Sequence, residues 1–175
     1  MLRRFVEGSF VLAVVLFVAD LGAARLWRQP GDGLYWRAAA LTRGTADLGP
    51  VEFVGLNRRA TPNDALACPE RLCQKAKADL TSPVFLVSAD ELRKKVAVVA
   101  DAEPDTSAIP GGQFVQYSPL FRFPDIIDVS VVEAGAKAST LSIYSRSVFG
   151  YTDFGVNKQR IERWLAALQR ITPTS

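Results

Sequence analysis

Residues 113–148 read QFVQYSPLFRFPDIIDVSVVEAGAKASTLSIYSRSV, and the two-residue period of this stretch decides the fold. Gln113 to Phe123 alternates and sets Val115, Tyr117, Phe121 and Phe123 on one face. Asp125 to Glu133 aligns Ile127, Val129 and Val131, and Ser139 to Val148 aligns Leu141 and Ile143. Successive side chains of a strand leave opposite faces, so each run reads as a half-buried strand. The connections are Phe123-Pro124-Asp125 and Glu133 to Ala138 around Gly135, short enough for antiparallel neighbours.

On either side the period changes to that of a helix. Upstream, Pro83 to Val87 (PVFLV) is a short β-type run, and Ser88-Ala89-Asp90-Glu91 follows as a capping box with Ser88 as N-cap. Leu92, Val96 and Val99 then share a helix face, with Arg93, Lys94 and Lys95 turned outward, until Ala102 before Pro104. Downstream, Lys158 to Ile171 aligns Ile161, Trp164, Leu165, Leu168 and Ile171, with Asn157 as N-cap. The expected order is β-α-β-β-β-α, an α+β domain whose antiparallel sheet has one solvated face and two helices on the other. That domain is expected over residues 62–175, and Thr61 to Ser82 reads as loop-rich with a turn at Pro62-Asn63-Asp64.

The chain has 175 residues, 49% of them apolar, which suits one domain with a core and not two. It has no His, which removes the Ser-His-Asp triad, His-ligated zinc or haem, and a histidine general base. No metal or other cofactor is expected. The formal net charge of +3 lies entirely in Met1 to Arg43, where Arg3, Arg4, Arg25, Arg28, Arg37 and Arg43 face Glu7, Asp20 and Asp32. The remainder is balanced, and phosphate binding needs cations converging on one surface, so nucleic acid is not an expected partner despite a pI near 9.0.

The basic N-terminus accompanies an apolar one. Gly8 to Ala19 (GSFVLAVVLFVA) follows Arg3 and Arg4 and runs on past Asp20 to Leu26. It is shorter than the ~20 uninterrupted residues of a spanning helix, but Asp20 lies near one end, where a side chain can snorkel. Residues 1–26 read as a single-pass membrane anchor, with Trp27, Tyr35 and Trp36 as interfacial aromatics. A second reading takes Gly22-Ala23-Ala24 as a signal-peptidase site, which frees the mature domain. Residues 27–61 then form a linker, with an interfacial helical turn or two over Leu34 to Leu41.

Topology signals conflict. Four arginines follow the span and two precede it, which on the positive-inside rule holds the domain in the cytoplasm. Cys68 and Cys73 in CPERLC, the only two cysteines, point instead to a disulfide in an oxidising compartment. Two free thiols, or a metal or redox pair, are the other readings, though the spacing is not CxxC and two thiolates leave zinc half coordinated. On the disulfide reading the domain sits on the periplasmic side of the inner membrane.

Ser145 to Ile161 (SRSVFGYTDFGVNKQRI) resists a purely structural account. It opens in a strand, ends in a helix and gathers Arg146, Asp153, Asn157 and Arg160 at the junction, where Arg122 and Asp125 can join them from the preceding strand end. An Asp and an Asn capping a helix, with an Arg paired to the Asp, would simply lock the junction. Alternatively, Arg122, Arg146 and Arg160 converge on an anion such as a lipid headgroup or a small carboxylate, with Asn157 and the helix N-terminus as donors. For catalysis, Asp125 or Asp153 is the available base and Ser145 or Ser147 the nucleophile, but neither a Gly-x-Ser-x-Gly elbow nor a Ser-x-x-Lys pair is present.

The run SRSxxGYTDFGVNxxRI, with FRFPD at 121–125 and PNDALACP at 62–69, resembles the bacterial and plastid family catalogued as domain of unknown function 1499. The resemblance spans about Pro62 to Leu168. It implies an N-terminal membrane segment, which family members often carry, and no established biochemical activity. The family pattern commonly places Arg-Ser where this chain has Ser142 and Ile143, so no role of that arginine carries over. The expected function is a membrane-anchored cell-envelope protein with a non-catalytic binding or assembly domain. The alternatives are an envelope enzyme or a protein that binds an anion or lipid headgroup through the Arg/Asp cluster.

Overall fold

A computed structural model describes residues 49–120 and 123–175. The elements are β1 (Asp64–Cys68), β2 (Leu80–Thr81), α1 (Ala89–Ala102), β3 (Thr106–Ile109), β4 (Gln113–Tyr117), β5 (Pro124–Gly135), β6 (Ala138–Ser147) and α2 (Val156–Ile171). They form an α+β fold in which a six-stranded sheet, ordered β2-β1-β6-β5-β4-β3, carries two helices on one face.

The β5–β6 hairpin is the spine, paired from Asp125↔Ser147 to Gly135↔Ala138. Because side chains alternate, Asp125, Ile127, Val129 and Val131 share the helix-side face with Leu141, Ile143 and Ser145, whereas Ile126, Asp128, Tyr144 and Arg146 share the other. The helix-side core joins Leu92, Val96 and Val99 of α1 to Ile161, Trp164, Leu165 and Leu168 of α2, over Ile127, Leu141 and Ile143. Trp164 is fully buried and meets Phe114 edge-on, with centroids 5.5 Å apart, a geometry that adds ~1 kcal/mol to the area it buries. Ser88 caps α1, accepting from the Glu91 N–H at 3.2 Å.

Several sequence expectations are corrected. The sheet is mixed, because the two residues of β2 pair parallel with β1. β1 itself lies in the stretch read as loop-rich, and β3 was not expected. Pro83 to Val87 is not a strand; Phe85 makes only isolated bridges to Ser139 and Thr174. β4 ends at Tyr117, where Ser118 and Phe123 close a loop: the Ser118 N–H donates to the Phe123 carbonyl and the Phe123 N–H to the Ser118 hydroxyl, both at 2.9 Å. Phe121 lies outside the described residues. Ile171 is 45% exposed and ends the apolar stripe one turn early.

The face expected to be solvated is covered. Phe53 and Leu56, from the stretch read as linker, bury against Leu66, Cys68 and Tyr144. Pro50 seats against Gly111, whose φ of +88° and Cβ-sized space, 2.8 Å from the proline ring, both require glycine. The apolar segment at 8–19 lies outside the described residues, among which no helix is long and apolar enough to cross a membrane.

Candidate functional site

The junction between β6 and α2 brings most of the predicted site residues together on the helix-side face. α2 starts after Phe154 (φ 54°) and Gly155 (φ 82°), two consecutive left-handed residues that turn the chain sharply; glycine suits the second. The Asp153 carboxylate accepts from the Gly155 N–H at 2.9 Å and the Asn157 N–H at 2.8 Å, which satisfies orphan donors and places negative charge at the helix start. Gly155 is the N-cap residue and the Asp153 carboxylate supplies the side-chain bonds, whereas Asn157, expected as the N-cap, is a fully buried residue of the first turn.

Asn157 is the hub of a closed network. Its Oδ1 accepts from the Ser145 hydroxyl at 2.6 Å and from Arg160 at 2.5 Å, and its Nδ2 donates to the Asn63 carbonyl at 3.1 Å and the Ser147 hydroxyl at 3.0 Å. That exhausts the bonding capacity of the amide. Arg160, 3% exposed, donates Nε to Gln116 Oε1, one terminal nitrogen to Ser145 and Asn157, and the other to Asp125 at 2.6 Å. The guanidinium fork is therefore spread over four elements, α2, β6, β5 and β4. Gln116 also donates to the Pro104 carbonyl and the Thr106 hydroxyl, so the network extends to β3.

Arg146 points the other way. It pairs with Asp128, donates to the Gly49 carbonyl at 2.9 Å and lies 5.4 Å over the Tyr144 ring. Asp128 also accepts from Gln113 at 2.8 Å and the Val51 N–H at 3.2 Å. Burial pushes the Asp128 carboxyl above the usual carboxylate range, against the opposing pull of Arg146, Gln113 and Val51. Arg146 Nε is buried without a hydrogen-bond partner among the described residues. Beside it a cavity of about 120 Å³ is lined by Pro50, Leu56, Asn57, Arg59, Tyr144 and Arg146. Further along this face the Tyr144 hydroxyl donates to Asp64 at 2.5 Å, and Arg58 bridges Asp64 and Asp79. Burial and the Asp64 contact push the Tyr144 phenol up. Burial would lower the Arg58 pKa, and its bonds to the two aspartates outweigh that and raise it.

A family profile described as "Protein of unknown function (DUF1499)" matches residues 60–168, from just before β1 into α2. The chain belongs to the DUF1499 family. No curated protein and no solved structure matches it significantly. In this DUF1499 domain the matched segment holds both buried ion pairs and the pair Cys68–Cys73.

Those cysteines form a disulfide, with Cα atoms 6.2 Å apart, and no free cysteine is present. It joins the end of β1 to the crossover before β2, above buried Ser142, whose hydroxyl lies 3.3 Å from Cys68 Sγ. Among the described residues no cluster of three or more potential ligands is arranged for a metal ion. Of the predicted residues, Asp125, Asn157 and Arg160 meet in one network and Asp153 caps the helix that carries it. Arg146 is on the opposite face, and Arg122 lies outside the described residues. Sequence reasoning missed Asn63, Gln116 and Asp128; an acid inside the apolar run Ile126-Ile127-Asp128-Val129 was the available signal for the last.

Proposed function

We propose that this chain is a non-catalytic binding or assembly domain of the cell envelope, anchored in the inner membrane through residues 1–26 with its globular part on the periplasmic side. The Cys68–Cys73 disulfide carries the reading, because a bond of this kind persists in oxidising compartments and is rare in the cytosol. The side chains with catalytic chemistry support the non-catalytic part. Ser145 is held between Asn157 and Arg160, Asp125 by Arg160, and both Asp153 oxygens by backbone N–H groups. Among the described residues neither serine hydroxyl hydrogen-bonds a carboxylate; their partners are Asn157 and Arg160, which do not supply the activation a nucleophile needs.

A reporter fused after Ser175 tests the topology. It should be active only outside the cytoplasm, with the cysteines shielded from alkylation until reduced; alkylation without reductant, in a cytoplasmic fusion, overturns it. Asp153→Asn tests the structural role of the junction. The variant keeps one acceptor oxygen but turns an amide NH2 toward the other N–H and should lose about 1 kcal/mol, and an unchanged melting temperature together with a lost cellular phenotype would point to chemistry at Asp153 instead.

One observation favours a second reading, a small-anion site. Arg59 and the Nε of Arg146, which has no partner among the described residues, border the cavity of about 120 Å³, which is large enough for an inorganic phosphate or a small carboxylate. Saturable stabilisation by inorganic phosphate that Arg59→Gln abolishes is the expected result; no shift at any phosphate concentration ends that reading.

A further inference from the structure

Five of the nine large apolar side chains that stand exposed among the described residues crowd one end of the molecule. They are Leu120 (60% exposed), Phe123 (38%), Tyr151 (71%), Phe154 (88%) and Val156 (46%). They sit on the loop that closes β4 to β5, on the loop from β6 to α2 and, for Val156, on the first residue of α2. The two loops form one tip: the Phe123 and Phe149 rings lie 5.7 Å apart, and the Val148 N–H donates to the Pro124 carbonyl at 3.1 Å.

The tip is held in place. Asn63 Nδ2 donates to the Gly150 carbonyl at 2.7 Å, and Asp153 bonds the N–H groups on either side of Val156. Phe154 keeps a left-handed backbone, uncommon for a bulky residue, while its ring faces water. An apolar patch of this kind marks an interaction surface on a soluble face. The cavity beside Arg146, and the one of about 270 Å³ between α1 and β3, are lined by none of these five residues. An exposed cluster of aromatic and aliphatic side chains suits the headgroup–acyl boundary, where amphipathic rings settle.

The tether supplies the rest. The described chain starts at Gly49, whose carbonyl is bonded by Arg146, the residue before Ser147 at the end of β6. Pro50 seats against Gly111, at the other end of β4 from the tip, so the approach relies on length: residues 27–48, at up to ~3.5 Å per residue, are long enough to let the tip touch the bilayer that the anchor enters. Tethering holds the tip at high effective concentration beside that surface. Exposed Lys158, in the first turn of α2, flanks the tip, and Arg59 bonds the Ser147 carbonyl at 2.6 Å. At the same end, one strand beyond β4, Glu103 is paired with Arg163 and Asp105 precedes β3. The only acid in the β6–α2 loop, Asp153, turns inward to its backbone donors.

We propose that the aromatic tip formed by Leu120, Phe123, Tyr151, Phe154 and Val156 docks into the interface of the lipid bilayer. The inference rests on the anchor reading above. The test uses the full chain in liposomes of zwitterionic and anionic lipids, with an environment-sensitive fluorophore on single introduced cysteines and the native disulfide intact. Phe154→Cys and Tyr151→Cys report the tip, Val15→Cys the anchor, and Val98→Cys on α1, 62% exposed, serves as the aqueous control. Blue-shifted emission at 154 and 151, quenched by nitroxide-bearing lipids, is expected, with position 98 unchanged.

Emission at 154 and 151 that stays aqueous while position 15 is quenched overturns the docking and leaves the anchor standing. Quenching at the tip with position 15 aqueous keeps the docking and overturns the anchor; aqueous emission at all positions overturns both. A blue shift that nitroxide lipids do not quench shows a protein covering the tip and also overturns the lipid assignment.

Discussion

The two faces of the β5–β6 hairpin each bury an arginine–aspartate pair, and they complete it differently. On the helix-covered face Arg160 reaches Asp125 from α2, and neutral partners from β4 and β6 share its donors. On the opposite face Arg146 and Asp128 both belong to the hairpin, one donor has no partner among the described residues, and a cavity adjoins the pair. A buried pair is a weak source of net stability because desolvation offsets attraction, but removing one partner is expensive. The inner pair therefore ties separate elements into one tertiary structure, whereas the outer pair mainly secures the hairpin and the N-terminal strap at Gly49 and Val51.

The largest effect is expected at the inner pair. Arg160→Met strands the Asp125 carboxylate and removes donors from Gln116, Ser145 and Asn157 at once, so chemical denaturation should show a loss of about 4 kcal/mol. Arg160→Lys should recover little of it, because an ammonium cannot reproduce the planar fork. Arg146→Met should cost about 2–3 kcal/mol, since the neighbouring cavity can admit water to Asp128. Equal losses at the two sites would remove the distinction between the faces.

A covalent constraint comes next in size. Replacing both cysteines by serine releases a very short loop, for which chain entropy gives about 2 kcal/mol. The disulfide lies in the cluster of Phe53, Leu56, Leu66 and Tyr144, on the face away from the helices. Hydrogen exchange should accordingly quicken in β1 and around residues 49–60 and remain slow in α2. Uniform acceleration across both faces would mean that the bond supports the whole fold.

How far the sequence foretold this arrangement depends on where each contact comes from. The β5–β6 hairpin was legible because alternation and Gly135 act locally, and so was α1 through its Ser88 cap. β1 was not, since DALAC is five residues long without a β-branched side chain, and its strand character comes from pairing with β6, far along the chain. PVFLV misled in the opposite sense, as an apolar run that buries Phe85 and Val87 with little pairing. At the site, Asp125, Asn157 and Arg160 were recognisable as residue types. Their neighbours Gln116 and Asn63 became neighbours only through strand register, and the same register sent Arg146 to the far face.

The finest difference between the faces is a pH slope. Burial raises the Asp128 carboxyl above its ordinary range, so between the ordinary value near 3.8 and the raised one the folded chain binds a proton that the unfolded chain has released. A raised folded-state value contributes stability that is fully present below the unfolded value and lost as pH rises through the folded one. Asp128→Asn removes that titration. The melting temperature of the wild type minus that of the variant should therefore be larger at about pH 4 than at pH 7, by a few degrees at most. The opposite slope would mean that Arg146 outweighs burial and holds the carboxylate ionised, which would make the outer pair electrostatically as well compensated as the inner one.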